Sequence, residues 1–251
     1  MTNFPETWWS GARPLIFAHR GASHAAPENT LPAFRRAVNV GADGVELDVH
    51  LTRDGVPVVI HDETVNATTD GTGRVTEMTL AEVKALDAGR HVDPAFAGTR
   101  VPTLEEVLVE IGEKLLVNVE LKPAGRRNAG LAPAVVGVVE RLGLEDRVWL
   151  SSFKPHHLYE ARQASVRIPC GLLYVPNPLT PLFRLFTPHE ALHPYHMLIT
   201  PHFVRRAHRR GLRVSTWTVD DVGAARRLAD WGVDALITNE PGPILAAFGA
   251  G

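Results

Sequence analysis

The stretch GVELDVHLTRDGVPVVIHDE occupies residues 44–63, and the rest of the chain reads most easily from it. Side chains alternate along a strand, so Glu46, Asp48 and His50 share one face, opposite Val45, Leu47 and Val49. Asp54-Gly55 between two apolar-rich runs is a strong hairpin signal, with Arg53 expected opposite Val56 across a two-residue turn. Carried back along the ladder, that register sets Asp48 opposite His61 and Glu46 opposite Glu63. The hairpin thus returns His61 to the two carboxylates. A slip of one residue would turn it away, because neighbouring residues face opposite sides.

GVELDV is one of eight short apolar runs. The others are PLIFAHR (14–20), LLVNVELK (115–122), VWLSSF (148–153), CGLLYV (170–175), HMLIT (196–200), RVSTWTVD (213–220) and DALITNE (234–240). Continuous Val, Ile and Leu of this length suit parallel strands covered by helices on their outer side. Between them, TLPAFRRAVNVG, NAGLAPAVVGVVERLG and TPHFVRRAHRRG show helical spacing and end at glycine. Eight such units in 251 residues predict an α/β fold, the TIM (β/α)8 barrel, as a single catalytic domain over 1–251. A doubly wound sheet is the alternative, but no G-x-G-x-x-G turn follows the first run. Residues 62–102, with TTDGTG and the helical TLAEVKALDAG, read as a small insertion on the rim between the second and third barrel strands. The proline-rich 175–197 segment reads as a lid or contact surface.

The bulk numbers narrow the function. A net charge of -2 and arginine clusters on the outer faces of helices (ARRL, VRRAHRRG, AFRRAV) argue for solvated surfaces and against nucleic acid. The lone Cys170 excludes an internal disulfide and a cysteine-rich zinc site. The N-terminus lacks a signal-peptide pattern, and no apolar run approaches the roughly 20 residues that span a bilayer. The expectation is a cytoplasmic protein without stable membrane insertion; a homo-oligomer stays open.

In a barrel, polar residues at the C-terminal ends of strands face the catalytic mouth. That filter selects His19 and Arg20 after the first strand, Glu46 and Asp48 on the second, and Glu120 and Lys122 on the third. Three carboxylates on adjacent strand ends offer an oxygen-rich site suited to Mg2+ or Ca2+. Two histidines flanking a reacting centre can serve as base and acid near neutral pH. Arginine and lysine beside a divalent cation suit a phosphoryl group in transfer. An aldolase or sugar isomerase would also use a metal and a lysine, but leaves the paired histidines and Arg20 less well explained. His189, His193 and His196 have ligand-like spacing, yet the prolines around them favour loop or mouth positions over a second metal site. His156 and His157, at a helix start, are expected on the surface.

HRG (19–21), PENT (27–30), VELDVHLTRDGVPVVIHD (45–62), TTDGTG (68–73), VELK (119–122), SSF (151–153) and WTVD (217–220) occur in order along the chain. In these motifs the sequence resembles the glycerophosphodiester phosphodiesterases over nearly its whole length, departing at Asn66-Ala67, where the family usually reads Asp-Arg. The resemblance implies a TIM barrel that hydrolyses small-molecule glycerophosphodiesters to sn-glycerol 3-phosphate and an alcohol. It implies one divalent cation, Mg2+ or Ca2+, on Glu46, Asp48 and Glu120, with His19 and His61 as acid and base. Arg20 and Lys122 would face the phosphate, while Trp217 and Phe153 would wall the pocket. Glu28 and Asn29 would support the first loop, and Thr30 would cap the helix after it. A lysophospholipase-D-like enzyme for longer lipids and a non-enzymatic phosphoester-binding barrel are the competing readings. His24 is expected to be a bystander.

Overall fold

The computed structural model describes residues 4–122, 130–175 and 185–249. Eight parallel strands close into a barrel. They are β1 (Leu15–His19), β2 (Gly44–Leu51), β4 (Leu116–Leu121), β5 (Val148–Ser152), β6 (Cys170–Tyr174), β7 (Ala191–Pro194), β8 (Arg213–Thr216) and β9 (Ala235–Thr238). The ring shuts because β1 pairs on both sides, Phe17 with Gly44 of β2 and Leu15 with Ala235 of β9. A short strand, β3 (Pro57–Val59), folds antiparallel onto β2.

The outer layer comprises α1 (Leu31–Asn39), α3 (Leu104–Ile111), α4 (Leu131–Arg141), α5 (Pro155–Ala164), α6 (Pro201–His208), α7 (Val222–Asp230) and α8 (Pro241–Ala247). Their apolar stripes meet the outward strand residues in one large core, which includes Phe34, Leu47, Leu104, Leu108, Ile111, Leu131, Leu150 and Leu158. Among the described residues no helix is long and apolar enough to cross a membrane.

A second, aromatic cluster closes the N-terminal end of the barrel. Phe17 stacks on Trp149 with centroids 5.2 Å apart, and Phe4, Trp8 and Trp9 pack against the same indole. Gly44 makes room for it, since a Cβ there would lie 2.4 Å from the Phe17 ring. The rim stretch 62–102 carries α2 (Leu80–Ala85), started by a capping box of Thr79 and Glu82. It buries Val65, Val75, Val83 and Ala88 against Val58 and Ile60 in a small cluster of its own. Asn66, where the family pattern breaks, anchors this loop by accepting from the Gly73 amide at 2.9 Å.

Two details differ from the sequence reading. The sixth barrel strand is ALHP at 191–194, and HMLIT carries a single 3-10 turn leading into α6. ALHP escapes an apolar-run search because its inward residues are Ala191 and the histidine His193. The hairpin turn is also one residue longer than expected. Gly55 N–H donates to Thr52 O and Thr52 N–H to Val56 O, with Gly55 at φ +84°. That is a three-residue turn with glycine in the left-handed position. It pairs Val49 with Val59, so Ile60, not His61, comes level with Asp48. The remainder of the 175–197 reading, over 176–184, lies outside the described residues.

Candidate active site

The inward residues of β2 and β4 bring three carboxylates together at the C-terminal end of the barrel. Glu46, Asp48 and Glu120 each present an oxygen, and these atoms lie within 4.8 Å of one another. All three side chains are buried. Register explains the proximity, because Asp48 is the ladder partner of Glu120. Burial pushes the Glu46 carboxyl well above its ordinary range, and Asp48 and Glu120 add to the push. Burial and then Asp48 likewise raise Glu120 to about 7. Burial also works against the Asp48 anion, but Lys122, Arg20 and His61 outweigh it and hold Asp48 well below the usual carboxylate range.

Two cations meet these acids. Lys122 Nζ stands 3.0 Å from Glu120 Oε1 and 3.3 Å from Asp48 Oδ1. Arg20 sits at φ +56°, where its Nη1 donates to both oxygens of Glu28 (2.9 and 3.1 Å) and its Nε lies 3.4 Å from Asp48. Asn29, also at φ +56°, donates from Nδ2 to Asp48 Oδ2 at 2.8 Å and from its backbone N–H to Arg20 O. Thus Glu28 and Asn29 brace the loop after β1. Thr30 occupies the helix cap position, but its hydroxyl donates to Pro27 O and makes no capping bond.

The donor set fits a hard divalent cation: it is all carboxylate oxygen, clustered and buried. Charge points the same way. With all groups ionised, the three clustered acids and Glu28 against Arg20 and Lys122 leave a net negative charge that a divalent cation would neutralise.

His19 Nδ1 lies 2.7 Å from Asn239 Oδ1, and Asn239 Nδ2 donates to Asp220 Oδ2 at 2.8 Å. An amide fixed by a carboxylate must show its carbonyl oxygen to the imidazole, so Nδ1 carries the proton and Nε2 bears the lone pair. Burial and then Arg20 lower the His19 pKa, keeping the ring neutral. His61 reaches the same cavity although the register is shifted, because pairing ends at Ile60 and alternation no longer directs the next residue. Its Nδ1 lies 2.7 Å from Asp62 Oδ1, and its carbonyl accepts from His50 Nε2.

The cavity measures about 140 Å³ and brings His19, Arg20, Glu46, His61, Glu120 and Lys122 against one apolar wall of Phe153, Leu173, Trp217 and Ile237. Phe153 and Trp217 meet edge to face at 5.5 Å, and Trp217 Nε1 is fixed by His193 O. A larger groove of about 540 Å³, lined by Leu198, His202, Phe203, Arg206 and Arg210, shares none of these residues.

Sequence reasoning missed several participants. Asp220 and Asn239 follow β8 and β9 and meet only in the fold; the strand-end filter applied to the last two strands would have found both. Asn118 and Leu173 lie on inward strand faces and carry no motif. Two histidines are buried against expectation. His157 stands within 3.2 Å of Leu121 O and 3.3 Å of Ser152 Oγ, and His193 fills the barrel interior over Gly171. His24, by contrast, pairs with Glu240 on the surface.

The match to the model of the glycerophosphoryl diester phosphodiesterase family covers residues 19–243. A glycerophosphodiester phosphodiesterase of Caldanaerobacter subterraneus is 42% identical over 91% of this chain and 95% of its own. An Oleispira antarctica phosphodiesterase, solved with the product sn-glycerol-3-phosphate, superposes with a TM-score of 0.84 at 32% identity, covering 95% of this chain and 98% of that one. The Agrobacterium tumefaciens glycerophosphodiester phosphodiesterase gives a TM-score of 0.82 at 29% identity, over 93% and 99%. The chain belongs to the glycerophosphoryl diester phosphodiesterase family and is a hydrolase of glycerophosphodiesters.

Proposed function

We propose that this single-domain barrel cleaves glycerophosphodiesters to sn-glycerol 3-phosphate and an alcohol, with one Mg2+ or Ca2+ and with His19 and His61 as base and acid. The observation that carries the reading is the convergence of three buried carboxylates, two cations and two histidines on one cavity.

Glu46, Asp48 and Glu120 would hold the cation, which when bound draws charge from the phosphoryl oxygens and lowers the pKa of a coordinated hydroxyl. Arg20 and Lys122 bind the remaining phosphate charge. His19 Nε2 takes the proton from the attacking oxygen, either the glycerol 2-hydroxyl or a water. As the new P–O bond forms, His61 donates a proton to the leaving alcohol oxygen. Asp62, 2.7 Å from His61 Nδ1, holds the orientation of the ring for that donation. On the two-step route the roles reverse, and water opens the cyclic phosphodiester.

The test is hydrolysis of glycerophosphocholine and glycerophosphoethanolamine with Mg2+, with Ca2+ and with chelator. Chelator should abolish turnover and either ion should restore it; full activity in chelator would remove the metal role. His19→Ala and His61→Ala should each lower kcat by about 10²- to 10⁴-fold. A second reading, cleavage of longer lipid diesters, draws on the exposed Leu185, Phe186 and Met197. A lysophospholipid turned over in preference to glycerophosphocholine would favour it.

A further inference from the structure

Asn118 lies on the inner face of β4, level with Glu46 on one side and Trp149 on the other. It is 1% exposed and lines the same cavity as the carboxylates and histidines. Neither its Nδ2 nor its Oδ1 has a hydrogen-bond partner among the described residues. Asn29, Asn66 and Asn239 all have their amides engaged. A carboxamide in a barrel core is costly to leave unpaired, and a leucine would fill the same volume. Its retention at the cavity floor points to a ligand.

We propose that the Asn118 carboxamide hydrogen-bonds the terminal hydroxyl of the substrate's glycerol, and so selects glycerol among phosphodiester headgroups. The proposal rests on the functional reading above. Chemistry singles out that hydroxyl. The phosphate oxygens are acceptors only and are answered by Arg20 and Lys122. The 2-hydroxyl, next to the phosphate-bearing carbon, stays close to the reacting centre whether it or a water attacks. The terminal hydroxyl alone is left, and it both donates and accepts, as the amide does. Leu173 and Ile237 lie along the same cavity to receive the glycerol carbons.

The experiment compares sn-glycero-3-phosphocholine with 2-hydroxypropyl phosphocholine, which keeps the reacting hydroxyl and lacks the terminal one. Wild type should prefer the glycerol diester by about 10- to 100-fold in kcat/KM. Asn118→Leu, matched in volume and free of polar atoms, should bring that ratio close to one, chiefly through KM. The competing inhibitors sn-glycerol 3-phosphate and 2-hydroxypropyl phosphate should lose their difference in affinity in the same variant. A purely structural role would weaken both members of each pair alike. An unchanged ratio in Asn118→Leu, or in Asn118→Ala should the leucine variant not fold, overturns the proposal. Wild type that hydrolyses neither diester overturns the functional reading itself, and the proposal with it.

Discussion

The two halves of the barrel divide the labour. β1, β2, the hairpin and β4 supply His19, Arg20, Glu46, His61, Glu120 and Lys122, the charged or titratable groups that line the cavity, with Asp48 buried beside them. The second half supplies Phe153, Leu173, Trp217 and Ile237, and one of its two buried histidines, His193, is kept neutral by burial, which lowers its pKa to about 3. The cavity thus has a charged side and an apolar side, built by different strands. Asp220 and Asn239 cross the divide, since they sit after β8 and β9 yet orient His19.

That division can be broken most directly by exchanging severity. Glu46→Gln or Asp48→Asn should lower kcat/KM by about 10⁴-fold or more and abolish divalent-ion binding by calorimetry. Trp217→Ala should raise KM about tenfold with kcat little changed, a loss of uniform binding. If Trp217→Ala costs as much as Asp48→Asn, the second half does chemistry and the comparison fails. Asn239→Leu should fall between them, at about 10- to 100-fold, as expected for a residue that acts through the imidazole it orients. The bond to Asn239 raises the His19 pKa, so losing it should also move the acid limb of the pH–rate profile to lower pH. An unmoved limb would sever Asn239 from the base.

The smallest effects concern stability, where the halves slope in opposite directions. In the metal-free protein Glu120 is raised from 4.5 to about 7, so the folded state binds the extra proton across that window and stability falls as pH rises through it. In the second half, burial and then His156 lower His157 from 6.5 to about 4. There the unfolded state binds the extra proton, and stability is lost as pH falls below 6.5. Because the two windows overlap from pH 4.5 to 6.5 and their slopes offset one another there, thermal unfolding in chelator should show a broad, shallow maximum. Glu120→Gln should flatten the alkaline side and His157→Gln the acid side; a variant that flattens the wrong side would refute the assignment.

The barrel was readable from its apolar runs, and the acids and histidines that interrupt those runs marked most of the residues that the fold brings to one cavity. What failed depended on information that sequence holds ambiguously. Asp54-Gly55 serves a two-residue or a three-residue turn equally well, and the choice moves the register by one. His61 survived that error only because the ladder stops before it. His157 looked exposed beside Pro155, but α5 packs it against the carbonyl of Leu121. Asn118 carries no motif, and its unpaired state is visible only once its neighbours are placed.

The aromatic closure of the barrel floor has a consequence for the order of assembly. Trp8 donates from its indole to the carbonyl of Asp146, across 138 positions of chain. During synthesis Phe4, Trp8 and Trp9 emerge well before the indole of Trp149 that covers them. For that interval the nascent chain carries three uncovered aromatic rings, a target for a holdase chaperone and a seed for association. The residues that seal the finished barrel thus stay uncovered until a strand from the middle of the barrel is made.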